Sequence, residues 1–451
     1  MKKGNEYEIT IEDTEFPGYG ISHLEGYKVY IKNVLPDEKI LARITKKRKN
    51  HAEAKAIKIL SEVDYKIDSP CLHYGICGGC SSLDVPYEKQ LELKEHQVLQ
   101  LFEKGNITGF HYLGIEKSPS IYGYRNKMEF TFGDFEKGGE LTLGMHAKNR
   151  RFSIVSAEGC SIAHKDYNII LSTVVEYFKK AGLPPYKVMS HEGFLRNLVV
   201  RKAQNTKEIL INIVTTSEAD FDFSDLISML VHLPYEGKLT GIIHCVNDSL
   251  SDTVEADKIE VLYGRDYIYE ELCNLKFKIS PFSFFQTNSK GAEKLYSIVK
   301  DFLQDTEHKT VFDLYCGTGT IGQIIAPDAE SVIGVELVEE AVKSANENAE
   351  LNGLTNCRFI AGDVAKIIKD INIKPDAIVL DPPRPGVQPA ALDYVLKFNA
   401  DEIVYVSCNP ISLVRDLKVI LASGYTLQKV KLMDMFPNTE HVETVVKLLR
   451  K

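Results

Sequence analysis

The part of the chain after Phe277 alternates between short apolar segments and amphipathic, helix-forming segments. This alternation constrains the fold more than any other feature, because strands joined by helices form a mostly parallel sheet with helices on both faces. Ligands bind such a sheet beyond the carboxyl ends of its strands, so the residues that follow each strand are the first candidates for function. The predicted strands are Thr310–Leu314, Ser331–Glu336, Cys357–Ala361, Ala377–Leu380, Glu402–Ser407 and Leu427–Met433.

The residues before this region show two other patterns. From Tyr7 to about Glu62, short runs of alternating apolar and polar residues are broken by glycine and proline, which predicts a small β-barrel. From about Gly123 to Glu270 strands dominate, with one helix predicted near Tyr167–Ala181, so this region is predicted to be α+β. The strands predicted there are Tyr124–Gly133, Leu141–Met145, Leu195–Arg201, Glu208–Thr215 and Gly241–Asn247. Residues 86–105 carry leucines and a valine at helical spacing and are predicted to form a helix.

The length of 451 residues is too great for one compact core and suggests about three domains. We predict them over residues 1–62, 63–270 and 271–451, with segment 86–124 as a candidate to pack on the last of them. No stretch approaches the roughly 20 apolar residues that span a bilayer, and the N-terminus lacks the apolar core of a signal peptide. The sequence therefore predicts a cytoplasmic protein that does not associate with membranes.

The formal net charge of -9 argues against indiscriminate binding to polyanions, because nonspecific affinity for nucleic acid comes mostly from neutralising phosphates. A local basic stripe is still sufficient for RNA when the rest of the surface is acidic. Candidate stripes are Lys46–Lys49 and Arg150–Arg151, although the first of these, taken without the rest of the chain, is better explained as a solvated hairpin tip.

A glycine-rich turn follows the first predicted strand of the C-terminal region, with Gly317, Gly319 and Gly322 just before a helix. Glycines are needed where the backbone turns sharply and approaches a ligand closely. The same spacing would cradle a dinucleotide pyrophosphate, but Asp313 at the end of the strand would repel a diphosphate and suits a cationic group instead. The turn therefore predicts a cofactor loop for a ligand other than a dinucleotide.

Acidic residues also follow the next two strands. Glu336 lies about twenty residues after the loop, where a carboxylate holds a ribose diol, and Asp363 after the third strand suits an adenine amino group. Capping aspartates and core strands would explain each element singly but not the ordered series. The series resembles the class I S-adenosylmethionine-dependent methyltransferases, which have a Rossmann-like α/β fold. The resemblance implies a cofactor site that includes Gly317 and Gly319.

A cysteine and an acid end two later strands, in Ser407-Cys408-Asn409-Pro410 and Asp381-Pro382-Pro383-Arg384. An aromatic residue after Asp-Pro-Pro would favour methylation of an amino nitrogen, and it is absent here. A thiolate can instead add reversibly to carbon 6 of uracil and make carbon 5 nucleophilic, after which a carboxylate removes the proton from carbon 5. Cys408 is the candidate nucleophile, and Glu443, in His441-Val442-Glu443-Thr444-Val445, is the candidate base.

Five motifs in this order resemble those of the RNA uracil-5 methyltransferase family. They are Phe284–Asn288, Asp313–Thr320, Asp381–Arg384, Ser407–Pro410 and His441–Val445. The resemblance implies that Cys408 is the nucleophile and Glu443 the base. It also implies that the cofactor is contacted by Gln286, Tyr315, Glu336 and Asp381. Taken singly, Cys408 would more often be a buried strand-end thiol and Glu443 an ion-paired acid.

A cluster of three cysteines, Cys71, Cys77 and Cys80, lies on a glycine-rich loop, and Cys160 is the natural fourth partner. Four thiolates can hold either zinc or an iron-sulfur cluster, and spacing alone does not separate these. The pattern resembles the 4Fe-4S site of the cluster-bearing branch of the same family, and it departs from the spacing of radical methyltransferases. The resemblance therefore implies a 4Fe-4S cluster with a structural or RNA-facing role.

The barrel from Glu6 to Leu60 resembles a TRAM domain, an OB-like RNA-binding barrel. A barrel together with four cysteines resembles the ribosomal RNA enzymes, so the expected function is methylation of a uridine at carbon 5, with 23S rRNA as the expected partner. No obligate protein partner is expected. Alternatives are a tRNA uracil-5 methyltransferase, an amino-group methyltransferase in which Cys408 is idle, and a noncatalytic RNA-binding factor. Candidate RNA contacts are Phe284, Phe285, Tyr124, Arg125 and Arg196.

Overall fold

The computed structural model of the protein describes residues 1–251, 256–303, 306–367 and 373–451. These residues form two compact units, and the chain passes between them more than once. The first unit comprises Met1–Ser69, Ser81–Lys117 and Leu380–Lys451, and the second comprises Pro70–Cys80 and Ser118–Val379. Within the described ranges, no helix is both long enough and apolar enough to cross a membrane.

The chain begins with consecutive strands and ends with alternating strands and helices. The N-terminal strands are β1 (Glu6–Thr10), β2 (Asp13–Glu15), β3 (Tyr19–Leu24), β4 (Tyr27–Lys32), β5 (Lys39–Lys47) and β6 (His51–Ser61). The central strands are β7 (His111–Glu116), β8 (Lys127–Gly133), β9 (Thr142–Ala147), β10 (Arg150–Ser156), β11 (Leu195–Lys202), β12 (Glu208–Thr215), β13 (Lys238–Val246), β14 (Lys258–Gly264), β15 (Ile268–Leu272) and β16 (Leu275–Ile279). The C-terminal strands are β17 (Thr310–Leu314), β18 (Ser331–Glu336), β19 (Cys357–Ala361), β20 (Ala377–Leu380), β21 (Glu402–Ser407), β22 (Tyr425–Met433) and β23 (Glu443–Arg450). The helices are α1 (Tyr87–Lys104), α2 (Lys165–Ala181), α3 (Ser224–Val231), α4 (Ser289–Leu303), α5 (Thr320–Ile325), α6 (Glu339–Leu351), α7 (Val364–Ile367), α8 (Pro389–Lys397) and α9 (Pro410–Ala422).

The predicted N-terminal barrel is a six-stranded sheet in the order β1-β5-β6-β4-β3-β2. Its pairs are antiparallel except for β4 and β6, which are parallel. Alternate residues of β5, Ile40, Ala42 and Ile44, are buried, because successive side chains of a strand point to opposite faces. The basic run Lys46–Lys49 lies across the turn between β5 and β6, where the sequence predicts it.

The first unit also contains the sheet segment β21-β23-β22-β7. β23 pairs antiparallel with β21 and β22, while β7 pairs in parallel with β22. Helix α1 contacts α9 closely, since a Cβ on Gly105, next after α1, would lie 2.7 Å from the side chain of Val414. Residues 81–117 therefore pack with the C-terminal part of the chain in this unit.

The second unit contains a seven-stranded sheet in the order β10-β9-β8-β11-β12-β13-β14. Its core includes Phe130, Phe178 and Leu198, which bring α2 onto the sheet. The same unit holds the parallel strands β17, β18 and β19, paired in register from Thr310 opposite Ser331 onward.

The strands predicted in the C-terminal region are confirmed. The first five coincide with β17 to β21, and the sixth begins two residues earlier than predicted, at Tyr425. The sequence did not predict β7 or β23. Ahead of β17 it also did not predict strands β10, β14, β15 and β16 or helix α3. The three-domain division stays a prediction.

Candidate active site

Cys408 lies between the last residue of β21 and the first turn of α9. The Asn409 side chain caps α9 by accepting a hydrogen bond from the Ile411 N–H at 3.2 Å, and Ser407 Oγ donates to the Asn409 carbonyl at 3.0 Å. Because Ser407 pairs with Thr444 across antiparallel β21 and β23, one further step along the same register places Cys408 opposite Glu443. The thiol and the carboxyl therefore sit side by side at one end of the strand pair.

The Cys408 thiol is half-buried, and its pKa is raised to about 11. Burial is the largest cause, the carboxylates of Glu443 and Asp381 add to it, and the Arg384 guanidinium opposes it. The thiol form therefore predominates at neutral pH, and a nucleophilic role for Cys408 would require the site to stabilise the thiolate.

The Glu443 side chain is 5% exposed, and burial raises the pKa of its carboxyl from 4.5 to about 7. Arg384 is the group that pulls this pKa back down. A general base works best when its pKa lies near the operating pH, so this carboxyl is well matched to proton abstraction at neutral pH.

Arg384 connects three parts of the site. Its Nη2 donates to His441 Nε2 at 3.1 Å, and its carbonyl accepts from Asn409 Nδ2 at 3.0 Å and from Ser412 Oγ at 3.1 Å. The Asp381–Arg384 loop is thereby tied to the loop that carries Cys408. The sequence analysis predicted no role for Arg384, although its position in the Asp-Pro-Pro-Arg motif could have indicated that it belongs to the site.

Every second residue from Tyr315 to Gly319 in the glycine-rich loop of the second unit has a left-handed backbone conformation. The φ angles are 65° at Tyr315, 54° at Gly317 and 69° at Gly319. A Cβ on Gly319 would lie 2.5 Å from the Phe359 ring, whereas nothing lies within 4 Å of a Cβ on Gly317. Gly319 is therefore required for internal packing, while Gly317 faces open space.

The structure brings Glu336 to this loop. Its Oε2 accepts from the Gly317 N–H and its Oε1 accepts from the Val338 N–H, each at 3.0 Å. Two backbone donors hold the carboxylate in one orientation at the end of β18.

Gln286 and Asp363 lie in the same unit. Thr318 Oγ1 donates to the Phe284 carbonyl at 3.4 Å, which places the segment leading to Gln286 beside the glycine-rich loop. Asp363 is exposed, and its Oδ1 accepts from the Ala365 N–H at 2.9 Å at the start of α7. Asp381 belongs to the other unit, where its charge acts on Cys408.

Asp313 departs from the expectation that it meets a cationic group. It is fully buried, and its Oδ2 accepts from the Gly322 N–H at 2.8 Å. Burial raises its pKa to about 7, with the charge of Glu336 adding to the shift. Asp313 thus anchors the start of α5 from inside the fold.

The four predicted ligand cysteines, Cys71, Cys77, Cys80 and Cys160, are half-buried and lie in the second unit. Burial raises the pKa of Cys80 to about 12, and the other three thiols each add to the shift. Cys77 Sγ accepts from the Gly79 N–H at 3.4 Å. The thiols are therefore electrostatic neighbours, although across the described parts of the chain no three His, Cys, Asp or Glu side chains form a group that could hold a metal ion.

Three of the candidate RNA contacts prove to be internal. Tyr124, Phe285 and Arg196 are at most 5% exposed. Arg196 Nη1 donates to the carbonyls of Asn247 at 2.8 Å and Ser249 at 2.7 Å, so it supports a loop. The expectation for these three is wrong, whereas Phe284 is 69% exposed.

An N-terminal six-stranded β domain and a Rossmann-like α/β fold are the architecture of a methyltransferase with an added TRAM domain. The TRAM domain family matches residues 1–57, and the family described as tRNA (Uracil-5-)-methyltransferase matches residues 86–451. The chain belongs to this tRNA (uracil-5-)-methyltransferase family and is an enzyme.

Relatives span the whole chain. A protein of Clostridium tetani described as an uncharacterized RNA methyltransferase is 60% identical over 451 residues, covering 100% of this chain and 99% of its own. A relative in Caldanaerobacter subterraneus subsp. tengcongensis with the same description is 49% identical over 445 residues, covering 99% of each chain. The crystal structure of Pyrococcus abyssi tRNA (uracil-54, C5)-methyltransferase in complex with S-adenosyl-L-homocysteine is similar with a TM-score of 0.77 and 25% identity, covering 98% of this chain and all of that one. The predicted fold class is confirmed.

Proposed function

We propose that this protein transfers a methyl group from S-adenosylmethionine to carbon 5 of a uridine in RNA. The observation that supports the proposal is the register of β21 and β23, which ends with Ser407 opposite Thr444, so that Cys408 and Glu443 are the next residues on the two strands. The charge of Glu443 also contributes to the raised pKa of Cys408. Membership of the uracil-5 family supports the reaction. The Pyrococcus abyssi enzyme, whose structure contains S-adenosyl-L-homocysteine, supports the methyl donor.

In the proposed mechanism the Cys408 thiol first loses its proton to solvent. The thiolate then adds to carbon 6 of uracil, and the electron pair of the C5=C6 double bond moves towards carbon 5. S-adenosylmethionine would supply an electrophilic methyl group on a sulfonium sulfur; carbon 5 takes the methyl, and the electron pair of the broken S–CH3 bond stays on that sulfur, which becomes a neutral thioether. The Glu443 carboxylate then removes the proton from carbon 5, the C5–H electrons re-form the C5=C6 double bond, and the C6–S electron pair leaves with Cys408. Arg384, which lowers the pKa of both groups, favours the charged form of each.

The proposed contacts to S-adenosylmethionine are Gln286, Tyr315, Gly317, Gly319, Glu336, Asp363 and Asp381. The open space at Gly317 and the fixed carboxylate of Glu336 support this assignment for the loop. A carboxylate held at the end of the second parallel strand suits a ribose diol.

We also propose that Cys71, Cys77, Cys80 and Cys160 hold a 4Fe-4S cluster. Their mutual repulsion as thiolates supports the assignment, because bound iron would offset it. When bound, the cluster would tie the loop near residue 75 to the segment near residue 160.

The RNA substrate is proposed to be 23S rRNA, because a barrel together with four cysteines resembles the ribosomal RNA enzymes of the family. A tRNA is the second candidate, favoured by the similarity over the full length of the chain to an enzyme named for tRNA uracil-54. Mapping the modified nucleotide in total RNA decides between them.

The test is incubation with S-adenosylmethionine and RNA that contains 5-fluorouridine. With no proton to remove from carbon 5, the bond between Cys408 and carbon 6 should persist, and a denaturation-resistant protein–RNA complex should form. Cys408→Ala should form none, whereas the matched control Cys316→Ala should still form it. A crosslink at Cys316 would refute the site assignment, and methylation by Cys408→Ala would favour the amino-group alternative.

A further inference from the structure

Helix α1 carries three buried polar side chains that the proposed mechanism does not use. Gln90, Lys94 and Gln97 are only 4%, 5% and 6% exposed. Residues spaced by three and four positions share one face of a helix, so these side chains form a single polar stripe. Because burying an amide or an ammonium is costly without partners, the stripe must satisfy itself against another part of the fold.

The partners of Lys94 lie at the end of β22. Its Nζ donates to Asp434 Oδ1 at 2.6 Å and to the Phe436 carbonyl at 3.2 Å. Asp434 is fully buried, so both members of this ion pair are removed from water. Separating the two partners would leave each charge buried without compensation. Because that is costly, the contact holds Lys94 and Asp434 in a fixed arrangement.

Gln90 fixes the same segment a few residues further on. Its Nε2 donates to Asn438 Oδ1 at 3.1 Å, and its Oε1 accepts from the Asn438 N–H at 2.9 Å. Asn438 itself adopts a left-handed φ of 66°. We call residues 434–442, which connect β22 to β23, the return loop.

The return loop leads directly into Glu443. Met433 pairs with Glu443 across β22 and β23, so Asp434 is the first residue beyond the pair that contains the base. Lys94 therefore holds the return loop at Asp434, one residue beyond the Met433–Glu443 pair. Gln90 holds the middle of the same loop at Asn438. A displacement of the loop would move Glu443 relative to Cys408.

We propose that Lys94 and Gln90 are positioning residues that set the place of the Glu443 carboxylate for proton abstraction from carbon 5. This inference rests on the proposed function. A base must lie within hydrogen-bond reach of its proton, and a misplacement of about 1 Å costs about a hundredfold in rate. The step that depends on these residues is release of the methylated nucleotide, because the C6–S bond breaks only when the base takes the proton.

The experiment uses the full chain, unmodified RNA and S-adenosylmethionine, and measures the denaturation-resistant protein–RNA adduct over time. Lys94→Met removes the charge at similar length, and Gln90→Met removes the contacts to Asn438. Both should accumulate methylated adduct and lower kcat by about ten- to a hundredfold, with little change in RNA affinity. Glu443→Gln should show the same adduct. The matched control is Lys89→Met on the same helix, a half-exposed lysine paired with exposed Glu92 at 2.9 Å, which should turn over like the native enzyme.

The double variant Lys94→Met/Asp434→Leu replaces both buried charges with apolar side chains and guards against simple unfolding. If it and Gln90→Met keep the native melting temperature and release product at the native rate, the inference is wrong. Loss of activity without adduct would also overturn it, because a general packing defect slows every step. If Glu443→Gln forms no adduct, the assignment of the base fails first, and the inference falls with it.

Discussion

Burial sets the chemistry of the two central side chains. The pKa of Cys408 is raised to about 11 and that of Glu443 to about 7, in each case mainly because water is excluded from the charged form. Arg384 is the one cation that acts on both groups in these shifts. A carboxyl with this pKa is part neutral and part ionised near pH 7, which suits the proposed role of accepting a proton and returning it to solvent in each cycle.

The free energy of unfolding should depend on pH, because ionising the buried Glu443 carboxyl destabilises the folded protein. Since the folded pKa of about 7 lies above the ordinary 4.5, this group stabilises the fold fully below pH 4.5 and loses that contribution as the pH rises through 7. Glu443→Gln removes the penalty, so at pH 8 it should be more stable than the native protein by up to about 3 kcal/mol, with a smaller gain at pH 5. Urea unfolding at both pH values measures this. The control Glu103→Gln, at an exposed position, should show no such pH dependence, and an equal effect of Glu443→Gln at both pH values would contradict the shift.

At the scale of elements, local pattern was sufficient where a strand is a short, uninterrupted apolar run. The apolar runs of β17 to β21 have the length and punctuation of buried parallel strands, so the sequence predicts their limits. It did not reveal β7, because its partner β22 lies more than 300 residues away and pairing at that distance leaves no periodic signal. Strand β23 was missed although its partner β22 ends only shortly before it in the sequence. The motif singled out Glu443 as the candidate base, but the pairing of β21 with β23 that brings it near Cys408 could not be predicted from the motif.

The cofactor loop illustrates why spacing alone is an incomplete guide. Gly317 and Gly319 occupy equivalent places in the motif, yet one faces open space and the other contacts Phe359. The sequence likewise predicts that both Asp313 and Glu336 face a ligand. In the structure, however, Asp313 is buried beneath α5. Three-dimensional packing thus separates residues that build the loop from residues that can meet a ligand.

Substitution of the two glycines should separate these roles. Gly319→Ala places a methyl group against Phe359 at positive φ, so it should lower stability by about 3 kcal/mol. The methyl group of Gly317→Ala would contact no neighbour, so the positive φ alone should lower stability, by about 1 kcal/mol. The same substitution should weaken S-adenosylmethionine binding at least tenfold. Thermal unfolding and calorimetric titration measure the two effects. Native affinity in Gly317→Ala would show that this glycine does not approach the cofactor.

At the scale of the whole molecule, an acidic protein must bind an acidic polymer. Acidic residues outnumber lysine and arginine by 63 to 54, so long-range attraction to RNA cannot come from net charge. The turn between β5 and β6 concentrates positive charge instead. Lys46 pairs with Glu53 at 3.0 Å and Lys47 lies over the Tyr27 ring at 4.4 Å, while Arg48 and Lys49 are exposed at the tip. Binding through such a patch is expected to be local and strongly dependent on salt.

Reversal of the tip charges tests whether the barrel contacts RNA there. If Arg48 and Lys49 each neutralise one phosphate, Arg48→Glu/Lys49→Glu should weaken RNA binding and reduce the slope of log K against log salt by about 1.4 for single-stranded RNA. Lys55→Glu/Lys58→Glu changes the net charge equally on exposed positions further along β6 and should leave the slope almost unchanged. Fluorescence anisotropy across a salt series measures both variants. Equal losses in the two would mean that only the overall charge matters, and the tip would then be a solvated hairpin turn.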